Sequence, residues 1–172
     1  MDALRLLFSP SGRLGPQVFI INVVVVYAVG VGAQWLASEE IQRNAGIWPF
    51  AVVQALLIWI WYVLHAKRLR DANRSTGAAA GAAVLYALSV VLLLIVATNF
   101  FLVTSGRPSE PATTAVLNVI LFLAVLLELW RQQAHDLNTL VVDLFIIMAF
   151  VPMIVAVAVT IYAATRPGAT KP

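Results

Sequence analysis

Lys67-Arg68-Leu69-Arg70-Asp71-Ala72-Asn73-Arg74 gathers four cations and one carboxylate into eight consecutive positions. If the segment is helical, Lys67 and Asp71 stand four apart and Asp71 and Arg74 three apart, spacings that bring side chains onto one face. Guanidinium and ammonium groups at this density suit the recognition of phosphate or carboxylate, not bond cleavage. Arg13 is the other cation beside a long apolar run, and opposite charge makes Arg13 with Asp71 the expected ion pair between segments. Glu128 and Asp143 are the carboxylates nearest to apolar runs, where an ionisable group marks a candidate path for an ion or proton. The histidines are His65 and His135, and neither belongs to an HExxH or comparable ligand spacing. Cysteine is absent, which removes disulfides, thiolate nucleophiles and Cys-ligated metal. The serines include no GxSxG elbow and the glycines form no phosphate loop, so no enzyme activity, metal or cofactor is expected.

These groups sit in a chain of 172 residues that is 62% hydrophobic and only 11% charged, with a mean hydropathy of +0.92. A water-soluble domain carries about 25% charge, so the excess hydrocarbon must face lipid. The net charge of +3 is then a topology signal and not a sign of nucleic acid binding. Crossing the hydrocarbon layer takes about 20 apolar residues per helix. Five runs qualify, at about 18–36, 47–66, 77–103, 112–130 and 140–164, and together they predict one all-α, polytopic transmembrane helical bundle over 1–172. The alternative is four spans with 112–130 lying on the surface or re-entering. The first run is too long for a signal peptide core, and Asp2 opens a short interfacial helix ahead of it. With five spans, the positive-inside rule places the N-terminus in the cytoplasm and the C-terminus outside, whereas four spans return the C-terminus to the cytoplasm.

Inside the runs, Asn22, Gln54, Asn99 and Asn118 are expected as hydrogen-bonding glue between helices, and His65 as a boundary residue. Gly77-Ala78-Ala79-Ala80-Gly81 is a GxxxG element that predicts a close packing seam at Gly77 and Gly81, with Gly30 and Gly32 as candidate partners. Pro152 interrupts the last run and predicts a bend.

Two segments carry a resemblance. Phe8-Ser9-Pro10-Ser11-Gly12-Arg13-Leu14-Gly15 with Phe19, and Lys67-Arg68-Leu69-Arg70-Asp71 with Asn73-Arg74-Ser75, resemble the motifs of the YhaH-like family of small bacterial inner-membrane proteins, domain of unknown function 805. The likeness covers roughly 8–100, with an echo in Arg166-Pro167-Gly168. Arg70 stands where that family usually has His, and Thr76-Gly77 replaces a Gly-Trp pair. The resemblance implies a helical bundle in the bacterial inner membrane and carries no chemistry.

The leading expectation is a non-catalytic multi-pass protein. Its basic cytoplasmic collar of Arg13, Lys67, Arg68, Arg70 and Arg74 engages anionic lipid headgroups or a membrane-protein partner. The alternative is a small transporter or channel component with Glu128 and Asp143 near its path. An accessory subunit or homo-oligomer held through the GxxxG face comes third.

Overall fold

The computed structural model of the chain describes residues 7–38, 40–41, 46, 48–104 and 137–168. Among these, four long helices are found and no strand: α1 Pro16–Ala33, closed by a 3-10 turn over Gln34–Ala37, then α2 Trp48–Asp71, α3 Gly77–Thr104 and α4 Leu137–Thr165. Each holds a segment long and apolar enough to cross a membrane, at Pro16–Leu36, Trp48–Asp71, Gly77–Ile95 and Ile146–Thr165. The chain is therefore a helical multi-pass membrane protein. Four spans stand among the described residues where five were expected. The run at 112–130, with Glu128, Asn118 and Trp130, lies outside them.

The helix ends follow from local chemistry. Pro16 occupies the first turn of α1, where its missing N–H is no loss, and the Gly15 carbonyl accepts from Phe19 N–H at 3.0 Å. At the other end of α2, Asn73 takes a left-handed φ of 53°. Its N–H donates to the Arg70 carbonyl at 3.0 Å and Arg74 N–H to the Leu69 carbonyl at 2.8 Å, the pair of bonds that ends a helix in a Schellman turn. Ser75 Oγ then accepts from Gly77 N–H at 3.2 Å, so α3 starts after a five-residue reversal over 72–76.

The chain divides into two compact units, one over 1–87 with 155–172 and one over 88–154. The first has a core of Phe19 and Val23 from α1, Trp61, Leu64 and Leu69 from α2, Ala79 and Ala82 from α3, and Ala156 and Ala163 from α4. Val24, Val31, Val84 and Ile161 are exposed, as expected for side chains whose solvent is lipid. The second unit holds the remainder of α3 and α4, with Leu88, Val91, Ile146 and Phe150 exposed and Asp143 half-buried. Helix α4 runs through Pro152 as one element.

The small-residue face differs from expectation. Gly77 and Gly81 are exposed, and a methyl built at Gly81, Gly30 or Gly32 meets nothing within 4 Å among the described residues. The small side chains that α3 buries are Ala79, midway between the two glycines, and Ala82, one position beyond Gly81.

Chain direction bears on the expected topology. The Pro10 carbonyl ahead of α1 accepts from Arg70 at the end of α2, and the Ala163 and Arg166 carbonyls at the end of α4 accept from Arg68. The lead-in, the end of α2, the start of α3 and the end of α4 thus share one level. This shared level fits the four-span alternative, and four is the number of spans seen among the described residues. Because the chain lacks cysteine, single Ser11→Cys and Lys171→Cys variants give a clean check. A membrane-impermeant thiol reagent should reach both from the same face of sealed vesicles, and labelling from opposite faces would refute the shared level.

Candidate functional site: a buried arginine, a polar thread and a basic basin

Arg68 lies three residues before the end of α2 and is fully buried. Its guanidinium has three partners. Nη1–H donates to Asp71 Oδ2 at 2.6 Å, Nε–H donates to the Ala163 carbonyl at 3.1 Å, and Nη2–H donates to the Arg166 carbonyl. The need for this arrangement is written in the tail. In a continuing helix the Ala163 carbonyl would accept from residue 167, but that residue is Pro167 and has no N–H. Arg68 supplies the missing donor and sets a positive charge at the negative end of the helix dipole, worth about 0.3–2 kcal/mol. Asp71 neutralises the charge, and charge-assisted bonds of this kind are about twice as strong as neutral ones. Gly168 completes the packing, since a methyl there would come within 3.0 Å of Asp71 Oδ2. The guanidinium carbon of half-buried Arg166 lies 4.5 Å above the Tyr162 ring centroid.

One turn deeper, neutral groups form a thread across three helices. Trp61 Nε1–H donates to the Tyr27 hydroxyl oxygen at 3.2 Å, and that hydroxyl lies 2.9 Å from Thr160 Oγ1. Thr160 Oγ1 is also 2.9 Å from His65 Nε2, while His65 Nδ1 meets the Trp61 carbonyl at 2.7 Å. A carbonyl can only accept, so Nδ1 carries a proton and neutral His65 receives the Thr160 proton on Nε2. The Thr160 hydroxyl has a second acceptor, the Ala156 carbonyl at 2.9 Å. If His65 gains a proton, Nε2–H donates to Thr160 and Thr160 turns to Ala156, so both protonation states are fully hydrogen-bonded. Trp61 stacks on the His65 ring at 3.7 Å between centroids and Phe19 meets it edge-on at 5.0 Å. His65 is therefore fully buried, between Trp61 and Phe19 and within hydrogen-bond reach of Thr160.

The third feature is open to solvent. Gly12, Arg13, Arg70, Asn73 and Arg74 line a basin of about 370 Å³. Gly12 has φ +103°, a conformation that an L side chain resists, and this turn carries Arg13 to the rim. Arg70 is held by its bond to the Pro10 carbonyl, and the Schellman turn at Asn73 aims Arg74 off the helix axis.

The expected collar is thus two different things. Lys67 and Arg68 are buried, whereas Arg13 and Arg74 are exposed and Arg70 is half-buried. The expected Arg13–Asp71 pair is replaced by Arg68–Asp71, which the three-residue spacing on α2 favours over a link across segments. Asn22 donates to the Val18 carbonyl of its own helix at 2.7 Å, whereas Gln54 is buried. Asp143 belongs to the other unit, and Glu128 lies outside the described residues. Sequence reasoning missed Thr160 and Tyr27. The signal for Arg68 was present in Pro167, four residues beyond a buried helix position.

Removing either member of the Arg68–Asp71 pair should be costly, because about 3–5 kcal/mol is lost when one buried partner is left alone. Arg68→Met and Asp71→Leu should each destabilise the detergent-solubilised protein, and the double variant should lose clearly less than the two losses added. Additive losses would show that the two groups are not coupled. Comparison with known proteins returned no matching family model, no matching curated protein and no matching solved structure.

Proposed function

We propose that this multi-pass membrane protein is a small transporter or channel component whose working centre is the Tyr27–Thr160–His65 thread, with Arg68 one turn closer to the aqueous end. The observation that carries this reading is the hydrogen-bonded chain itself, which links α1, α2 and α4 inside the spans and accommodates His65 with one or two protons. Ionisable groups within spans are expensive and concentrate on ion and proton pathways. Tyr27 from α1 reaches His65 through Thr160, and Arg68 follows His65 by three positions on α2. In this reading the thread takes the role that the sequence had assigned to Glu128 and Asp143, and the cargo class is a proton or an ion exchanged with it.

A second reading keeps the basic end as a contact for anionic lipid or a membrane partner. It is favoured by the way Arg13, Arg70 and Arg74 converge on one basin, and it is narrowed to those three residues. Both readings place the basic level in the cytoplasm of a bacterial inner membrane. In chain order Arg5 and Arg13 precede α1, Lys67, Arg68, Arg70 and Arg74 fall at the end of α2 and the turn after it, and Arg166 and Lys171 follow the last span, whereas Arg43, Arg107 and Arg131 fall between α1 and α2 or between α3 and α4, a stronger bias than five spans gave. The resemblance to the YhaH-like family supports the same location. Its two motif segments touch where Arg70 meets the Pro10 carbonyl.

Transport is tested in liposomes carrying an imposed pH gradient. The wild-type protein should dissipate it faster than empty vesicles, and His65→Phe and Thr160→Val should each slow the rate by about tenfold, equivalent to roughly 1.4 kcal/mol in a barrier. Glu128→Gln and Asp143→Asn should leave it unchanged. Wild-type vesicles no leakier than empty ones, or full activity in His65→Phe, would reject the transport reading.

A further inference from the structure

We propose that the Gly12–Arg13–Arg70–Asn73–Arg74 basin is a binding site for a single phosphate group, presented as a phosphomonoester or phosphodiester at the membrane–water boundary. This deepens the second reading above and is independent of transport through the His65 thread. Three guanidinium groups from two chain segments share one open basin, with no carboxylate on its lining among the described residues. Asp71, the sequence neighbour of Arg70, is engaged by Arg68 and cannot serve as their counter-charge. Three like charges drawn together repel, and an anion between them converts that repulsion into attraction.

The backbone devices that hold the arginines are specific. Gly12 at φ +103° and Asn73 at φ 53° turn the chain at the two rims, and the bond from Arg70 to the Pro10 carbonyl uses one of the five N–H donors of that side chain. The remaining donors of Arg70, those of Arg13 and Arg74, and the Asn73 amide offer a planar, multidentate donor set. A tetrahedral phosphate with several acceptor oxygens uses such a set better than a single carboxylate does. The shared chemistry has two sources, a lipid headgroup or a free phosphate in the aqueous phase. The position of the basin, between the lead-in to one span and the turn that joins two others, gives access to both.

The test uses the full-length chain in neutral detergent, with bound ligands counted by native mass spectrometry. The probes are phosphatidylglycerol, the phosphate-free anionic lipid oleate, and inorganic phosphate as a competitor. The wild type should retain one phosphatidylglycerol saturably and in preference to oleate, or bind inorganic phosphate saturably. An Arg13→Gln/Arg74→Gln double variant, altered at two exposed positions, should bind about tenfold more weakly with its melting temperature unchanged. Displacement of phosphatidylglycerol by inorganic phosphate would identify a site open to the free ion, and resistance to displacement would identify the lipid as its source. Equal retention of oleate and phosphatidylglycerol would overturn the phosphate site while leaving a diffuse basic collar intact. Undiminished phosphate and phosphatidylglycerol binding in the double variant, or no saturable binding of either, would overturn it outright.

Discussion

A single guanidinium closes the end of helix α4. Pro167 deprives the Ala163 carbonyl of its ordinary partner, the burial of Ala163 denies it water, and Arg68 reaches across from α2 to satisfy it. Burying a guanidinium is unfavourable in itself, and Asp71 together with two backbone carbonyls offsets that cost. The same contact holds the end of α4 at the level of the end of α2. Gly168 follows from it too, since a side chain at that place would crowd the Asp71 carboxylate.

Around this contact the polar groups sort by depth. Furthest inside, Tyr27, Thr160 and His65 satisfy one another as neutral groups, the cheapest form in which polar atoms are kept in a low-dielectric layer. At the helix ends, Arg68 is a charge made tolerable by fixed partners. Beyond it, Arg13, Arg70 and Arg74 face an open basin where water and anions can reach them. Neutral thread, paired charge and solvated charge follow one another over the last few turns of α2, so the two proposed activities draw on different residues.

Much of the architecture was legible in residue types. Runs of 18 or more apolar residues bounded by Gly, Pro and charge identify α1 to α4, because few other structures satisfy the backbone in hydrocarbon. Arg70 and Arg74 were recognisable as part of a basic cluster, since that density is local in the chain, and Arg13 through its place ahead of the first apolar run. The partners of buried polar groups were not. Local spacing offered Asp71 to Lys67, Arg68 and Arg74 alike, opposite charge offered it to Arg13, and chain order alone does not select Arg68 or show it reaching α4, 95 positions away. The same separation hides Thr160 from His65. The GxxxG reading failed on register: Gly81 leaves open space among the described residues, and the nearby Ala79 and Ala82 enter the core. Which small residues meet a neighbour depends on helix rotation, which a pattern of small residues on two sides does not specify.

The most direct test of the capping role is hydrogen–deuterium exchange of the detergent-solubilised chain, followed residue by residue along α4. If Arg68 closes that helix, Arg68→Met should accelerate exchange of the amides from Tyr162 to Arg166 and leave those from Ile146 to Met153 at the wild-type rate. Unchanged protection of the last turn in Arg68→Met would contradict the central claim, because the Ala163 carbonyl and the turn behind it would then be held by something other than the arginine.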